Sequence, residues 1–197
     1  LEGIARKIKP LRESFALVRD SRSTVLVRNQ SSTSLAEESE SVDYLFTDPP
    51  FADFIPYAEI NQVNELWLGK RTDDTNEVVM SKAQEKSLDD YGSLMSEVFT
   101  EAARVLKPQG VATVVFHAAK AKVWSTLQES FGGAGFSVVA TNVLDKLQES
   151  FKQVVSTVSV KGDPLLLLTK SNQVFTEVVP SNEDLITSLL KQAKNGI

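Results

Sequence analysis

The residues best suited to chemistry form the run Asp48-Pro49-Pro50-Phe51, which directly follows the apolar segment Val42–Phe46. A short apolar, aromatic-rich segment is typical of a buried strand in a parallel sheet. Proline fixes φ and has no amide proton, so two successive prolines force the chain out of the sheet. Open α/β sheets bind their ligands at the carboxyl ends of their strands. We therefore expect a rigid loop that holds the Asp48 carboxylate at a ligand-binding edge.

Four further residues are candidates to line a site beside this loop: Tyr57, Glu59, Asn61 and His117. The first three follow the loop on a predicted helix over Tyr57–Leu68, which Gly69 terminates. His117 ends a predicted strand at the same sheet edge. Each of them also has a structural interpretation, since a tyrosine can simply pack, a glutamate can be solvated and a lone histidine is more often structural than catalytic.

Alternating helices and strands must position these residues. Besides the two elements already described, the pattern predicts an N-terminal helix within residues 1–20, a strand at Thr24–Arg28, a helix at Leu88–Leu106, a strand at Val111–Phe116, a helix at Ala121–Phe131, strands at Phe136–Leu144 and Pro164–Thr169, and a C-terminal helix over residues 181–197. This order indicates one α/β domain over residues 1–197 with a mostly parallel sheet that ends in an antiparallel hairpin at its edge. We further expect Arg71–Lys86 to be a mobile surface loop, and Trp67 and Trp124 to lie in the core.

Composition excludes several classes of site. The chain has 197 residues, no cysteine and a single histidine, so disulfides, thiolate metal sites and histidine metal clusters are ruled out. A net charge of −5 gives no general attraction to nucleic acid. No apolar run approaches the roughly 20 residues of a membrane span, and no secretory leader is apparent. We expect a cytoplasmic protein without membrane association.

The region around the proline loop resembles the S-adenosylmethionine-dependent amino-group DNA methyltransferases, the N6-adenine and N4-cytosine class. It is most similar to a branch of bacterial site-specific DNA methylases that carry a D-P-P-F motif. The segments that carry the resemblance are Ser41–Phe51, Tyr57–Asn61, Glu65–Gly69, Arg104–Gly110, Val114–His117, Trp124, Ala134–Phe136, Leu144–Lys146 and Ser150–Gln153. The resemblance as a whole extends over roughly residues 24 to 170. The resemblance implies a partial Rossmann-like methyltransferase fold.

The resemblance also implies roles for the loop residues. Asp48 and the Pro49 carbonyl would accept hydrogen bonds from the amino group of a base flipped out of DNA, and both would border the methyl donor. Pro50 would keep that carbonyl in place, and Phe51 would stack on the base, although a plain core role for this ring stays open. Tyr57, Glu59, Asn61 and His117 would contact the substrate. Adenine N6 is favoured over cytosine N4 as the target.

One expected part of such an enzyme is missing from the sequence. No Gly-rich turn follows an early strand, and Gly3 is the only glycine before Gly69. Because the chain also begins at Leu1 rather than Met, we expect the D-P-P-F half of a catalytic domain, inactive alone, with weak or no binding of S-adenosylmethionine. The sheet edge left open in such a fragment would favour a homodimer or a rearrangement.

Two other functions remain open at this stage. The first is methylation of an amino group in RNA, since some RNA methyltransferases carry the same motif. The second is a degenerate methyltransferase fold that only binds nucleic acid or protein. Lys146 and Ser150–Gln153 could contact phosphate or cofactor, or they could belong to a solvated hairpin.

Overall fold

The computed structural model describes residues 8, 10–16, 24–53, 55–145 and 162–170. Contacts divide the chain into two compact units, Leu1–Gln30 and Ser31–Ile197. The single domain expected over the whole chain stays a prediction. The predicted C-terminal helix lies outside the described residues, as do Lys146 and Ser150–Gln153.

In the first unit, residues 10–16 are helical, which agrees with the predicted N-terminal helix. The strand predicted at Thr24–Arg28 is wrong, because residues 24–30 form no regular element. Val25 and Val27 are both largely exposed. A β-branched run forms a strand only when a partner strand and a packed face support it, and these residues lack the packed face.

The described residues of the second unit form four strands and three helices in the order β1 (Val42–Thr47), α1 (Tyr57–Leu68), α2 (Leu88–Val105), β2 (Leu106–Val115), α3 (Ala121–Gly133), β3 (Phe136–Asp145) and β4 (Gly162–Lys170). The strands form a sheet of order β1-β2-β4-β3. β1 and β2 are parallel, whereas β4 is antiparallel to both β2 and β3. The mostly parallel sheet is therefore only partly confirmed: β3 and β4 do pair as antiparallel neighbours, but β4 enters between β2 and β3.

Strand β2 begins at Leu106, earlier than predicted, because the Pro/Gly segment Lys107–Gly110 does not separate helix from strand. It forms an excursion within β2 at a point where the register with β1 shifts. Gly110 is required there, since a Cβ on it would lie 2.7 Å from Leu106 Cγ and 3.0 Å from the Asp43 carbonyl oxygen. Lys107 Nζ lies 2.6 Å from the Asp43 carboxylate and bridges the excursion to β1.

The core lies between one face of the sheet and helices α2 and α3. Helix α2 starts with a capping box between Ser87 and Asp90. Its predicted apolar stripe is buried, with Tyr91, Met95, Phe99, Ala102 and Val105 facing the core. Trp124 on α3 is 1 % exposed, as predicted for a core residue.

Helix α1 and strand β1 are more exposed than the sequence indicates. Ala58 is the buried residue of α1, and Trp67 is 89 % exposed, so the prediction of a core position for Trp67 is wrong. On β1, Tyr44 and Phe46 are 52 % and 61 % exposed, so this strand is not buried on both faces. The end of α1 is as predicted, since Gly69 takes the left-handed conformation with φ 61° and its amide donates to the Glu65 carbonyl.

The segment Arg71–Lys86 forms no helix or named strand and many of its residues are exposed, as expected for a surface loop, but part of it packs against the core. Its mobility stays a prediction. Val79 is 1 % exposed. Lys86 Nζ donates to the carbonyl oxygens of Asp74 and Glu77 at 2.6 and 2.8 Å. A buried apolar anchor and a lysine that satisfies two carbonyls hold the segment in a defined conformation.

Candidate active site

The proline loop leaves the sheet at the carboxyl end of β1, beside the carboxyl end of the parallel strand β2. Helix α2 holds the loop through Tyr91, whose hydroxyl donates to the Pro50 carbonyl at 2.7 Å. Tyr91 is fully buried, and burial raises the pKa of its phenol. The phenol therefore stays protonated and remains a donor. The loop is fixed from the core side while Asp48 is exposed.

Ala52 closes the loop with an unusual backbone conformation. Its φ is +57°, in the left-handed region, and its side chain is 1 % exposed. The Met80 amide donates to the Ala52 carbonyl at 3.2 Å, so the packed segment before α2 holds the loop from its other end. A small side chain suits this position, because it is buried in the core cluster.

The Phe51 ring contacts two consecutive residues that directly follow β2, Phe116 and His117. The ring meets that of Phe116 edge to face, with centroids 5.4 Å apart and an interplanar angle of 86°. The His117 ring lies 5.9 Å away with a tilt of 34°. Phe116 in turn packs edge to face on Trp124 at 5.1 Å. The half-buried Phe51 ring therefore rests on a continuous aromatic support that reaches into the core.

His117 is paired with a carboxylate from β4. Its Nδ1 lies 2.8 Å from Oδ1 of Asp163, and the two side chains are 18 % and 8 % exposed. Because a carboxylate only accepts hydrogen bonds, the imidazole Nδ1 carries the proton of this bond. The pair connects the β4 strand to the aromatic support of Phe51.

The three candidates on α1 divide into two groups. Tyr57 and Asn61 are exposed. Glu59 is half-buried, and its Oε1 accepts a hydrogen bond from Gln84 at 3.3 Å, while the same amide nitrogen donates to Glu77 at 2.7 Å. Within the described residues, Glu59 Oε2 and Gln84 Oε1 are buried atoms without a hydrogen-bond partner. Glu59 therefore joins α1 to the segment Arg71–Lys86. It is not a solvated surface residue, which was the structural alternative for this position.

Of the predicted site residues, the structure brings Phe51 and His117 into contact, next to Asp48, Pro49 and Pro50 of the same loop. Their proposed roles stay predictions. Two residues with a part in the site were missed by the sequence reasoning: Tyr91, which was assigned to the apolar stripe of α2, and Asp163. The signal for Asp163 was an acidic residue directly before the apolar run of β4.

Two negative findings hold for the part of the chain that the structure describes. No group of three or more histidine, cysteine, aspartate or glutamate side chains there could hold a metal ion. No helix there has the length and apolar character needed to cross a membrane.

Comparison with known proteins places these features in a family. None of the curated proteins matches the chain. Among solved structures, the cytosine-N4-specific DNA methyltransferase PvuII matches with a TM-score of 0.46 and 15 % identity, over 78 % of this chain and 50 % of that one. A Thermus thermophilus protein described as a DNA modification methylase, in complex with S-adenosyl-L-methionine, matches with a TM-score of 0.40 and 15 % identity, over 76 % of this chain and 54 % of that one. The chain thus spans about half the length of these proteins.

The family assignment rests on a sequence profile. The profile of the N6/N4 DNA methylase family, described as DNA methylase, matches residues 42–195. The match begins at the first residue of β1 and includes the proline loop, the aromatic residues from Phe116 to Trp124 that support Phe51, and strand β4. Because it extends over most of the chain, the protein belongs to the N6/N4 DNA methylase family.

Proposed function

We propose that the protein takes part in the transfer of a methyl group from S-adenosylmethionine to the exocyclic amino group of a flipped adenine or cytosine in DNA. The observation that carries this proposal is the clamped proline loop. The Tyr91 hydroxyl donates to the Pro50 carbonyl at 2.7 Å on the core side of the loop, and Asp48 is exposed at the carboxyl edge of the sheet. Membership of the N6/N4 DNA methylase family supports the same chemistry.

The loop would make the amino group reactive. The lone pair of an exocyclic amino nitrogen is delocalised into the base ring, so the group is a poor nucleophile. The Asp48 carboxylate and the Pro49 carbonyl would accept hydrogen bonds from its two N–H groups and favour a pyramidal nitrogen. Fixed acceptors also stabilise the positive charge that develops on nitrogen during the transfer. The new N–C bond would form as the S–C bond to the methyl group breaks, and the nitrogen would then lose one proton to the Asp48 carboxylate or to water.

The aromatic support would hold the base. A base that is methylated on its amino group must leave the duplex, and it is then read by stacking and by its exposed edge. Phe51 is half-buried, with its ring supported by Phe116 and His117. Because this support is rigid, stacking on Phe51 would orient the amino group relative to Asp48.

The proline loop suits one part of S-adenosylmethionine, its sulfonium group. S-adenosylmethionine supplies an electrophilic methyl group on a positively charged sulfonium, and the exposed carboxylate of Asp48 and the adjacent Pro49 carbonyl suit a cationic neighbour. Residues 1–41 of this sequence contain no Gly-rich turn of the kind that would hold the rest of the cofactor. We therefore expect this chain alone to bind the cofactor weakly or not at all.

The test is an Asp48→Asn substitution in the full-length gene product, assayed by transfer of labelled methyl groups to duplex DNA and, separately, to RNA. Asn keeps the shape but loses the charge and one acceptor, so the rate on DNA should fall by roughly 10²- to 10³-fold, as for other preorganised charge-stabilising groups. Asp43→Asn is the matched control. Its carboxylate is 83 % exposed on the same strand and pairs with Lys107 at the opposite end from the loop, so the rate should change by less than about twofold.

Two outcomes would contradict the proposal. If the Asp48→Asn variant retains near wild-type transfer while folded, the role given to Asp48 is wrong. If the wild-type protein methylates RNA and leaves DNA unmodified, the assigned substrate is wrong.

A further inference from the structure

We propose that Asp163 is a positioning residue for the methyl transfer, which acts through His117 on the base-stacking ring of Phe51. The inference rests on the proposed function, because it assigns a task to that ring. It adds a residue from β4 that lies far from the proline loop in sequence.

The Asp163 side chain is 8 % exposed, and a buried carboxylate is unfavourable unless it is paired and hydrogen-bonded. Its hydrogen-bond partner is His117 Nδ1 at 2.8 Å. Replacing both residues by apolar ones would avoid the desolvation cost of the carboxylate, so stability alone gives no reason to retain the pair.

Strand pairing of β4 does not depend on the His117–Asp163 bond. β4 already pairs with β2 through five consecutive residue pairs, from Val111 opposite Thr169 to Val115 opposite Leu165. The Phe116 amide also donates to the Pro164 carbonyl at 3.0 Å. The backbone next to the His117–Asp163 pair is therefore fixed without it. What the side-chain bond adds is control of the imidazole ring.

The bond to Asp163 fixes the orientation of the His117 ring. A histidine ring can flip about its Cβ–Cγ bond, and its proton can exchange between the two ring nitrogens. A carboxylate bonded to Nδ1 suppresses both processes. The His117 ring then stays 5.9 Å from Phe51 with a tilt of 34°. Phe116 contacts Phe51 at a different inclination, 86°. The two contacts together restrict the Phe51 ring, and release of His117 would remove one of them.

The first test does not depend on activity. The chain contains a single histidine, so isotope-labelled histidine gives the imidazole signals of His117 alone. In the wild type we expect the Nδ1 position to hold its proton throughout and a nuclear Overhauser contact between the rings of His117 and Phe51. In Asp163→Ala the tautomers should mix and the contact should weaken. Wild-type signals that already show tautomer mixing, or a ring contact unchanged in the variant, would overturn the inference.

The second test measures kinetics in the full-length gene product. Asp163→Ala and His117→Ala should each lower kcat on DNA by roughly 10- to 100-fold, the range seen when an orienting partner is lost, with KM for S-adenosylmethionine unchanged. The double variant should be no slower than His117→Ala, because Asp163 acts only through His117. Asp163→Asn, which keeps an acceptor oxygen, should recover part of the loss, and it carries the test if the alanine variant does not fold.

The outcomes separate the inference from the proposed function. Independent, multiplicative losses in the double variant, or an unchanged kcat in a folded Asp163→Ala, would overturn the role of Asp163 as stated. A wild-type protein that is inactive on every nucleic acid would refute the proposed function instead, and the tautomer and ring contact of His117 would still decide whether Asp163 orients the ring.

Discussion

Tyr91→Phe removes one hydroxyl from the fully buried phenol that holds the proline loop. The hydroxyl donates to the Pro50 carbonyl at 2.7 Å, and its loss leaves that carbonyl without this donor. Leaving a buried acceptor unsatisfied costs about 1–3 kcal/mol. For a domain of this size, about 2 kcal/mol corresponds to a fall in Tm of roughly 4–8 °C. The full-length variant should also transfer methyl groups more slowly, because Asp48 and Pro49 are displaced with the loop.

The matched control is Tyr44→Phe, which removes the same atom from a half-exposed tyrosine. The Tyr44 hydroxyl bonds to Thr113 Oγ1 at 2.9 Å, and water can replace that bond, so the free energy of unfolding should change by less than about 0.5 kcal/mol. Both variants are compared by thermal and denaturant unfolding. An equal loss of stability in the two, or a stable Tyr91→Phe with full activity, would refute the idea that this hydroxyl fixes the loop.

The same variant has a signature at alkaline pH. Burial raises the pKa of Tyr91 above its ordinary value of 10.0. The unfolded phenol therefore ionises first, and the folded state is destabilised as the pH rises above about 10. Phenylalanine does not ionise, so this destabilisation is absent from Tyr91→Phe. The difference in the free energy of unfolding between wild type and Tyr91→Phe should therefore be constant from neutral pH to about 10 and shrink above it. A difference that stays constant to higher pH would show that the phenol is not shielded by burial.

Two further predictions concern the frame around the site. Gly110→Ala places a methyl group against Leu106 and the β1 backbone and should cost about 1–3 kcal/mol by overpacking. At Gly132 a Cβ meets nothing within 4 Å, so Gly132→Ala should be neutral or stabilise helix α3 by up to about 1 kcal/mol. Denaturant unfolding midpoints of the two variants, each compared with the wild type, test both values. Hydrogen bonds from the Arg104 side chain and the Leu35 amide hold the pKa of Glu101 at about 2, below its ordinary 4.5. Glu101→Gln should therefore lower Tm at pH 7, by an amount that declines as the pH falls below about 4.5 and vanishes near 2; a loss independent of pH would contradict this.

Local signals were sufficient to predict several elements. The stripe of α2 repeats at helical spacing and follows a capping box, so its boundaries and buried face agree with the sequence. Gly69 terminates α1 because it takes a conformation that other residues rarely adopt. The β3–β4 hairpin followed from two strands without a helix between them. Each of these predictions depends on residues that are close together along the chain.

Errors arose where distant parts of the chain decide the outcome. The insertion of β4 between β2 and β3 is a choice among sheet edges, which no local pattern encodes. The aromatic residues Tyr44 and Trp67 were expected inside because of their type, but burial depends on what packs against them. In the site, the proline loop was recognised from its own residues. Tyr91 and Asp163 were not, because a core tyrosine and an acidic strand residue gain their roles only through contacts made across the fold.

The position of β4 has a consequence for synthesis of the protein on the ribosome. β2 and β3 are made well before residues 162–170, yet β3 pairs with β4 rather than with β2 in the described sheet. Until β4 emerges, both strands present open edges that a neighbouring nascent chain could pair with. The Pro164–Thr169 run, with Leu166 and Leu168 buried, closes both edges in one step. A ribosome that stalls before Gly162 would release a chain with a divided sheet and no Asp163, an efficient substrate for chaperones and proteases.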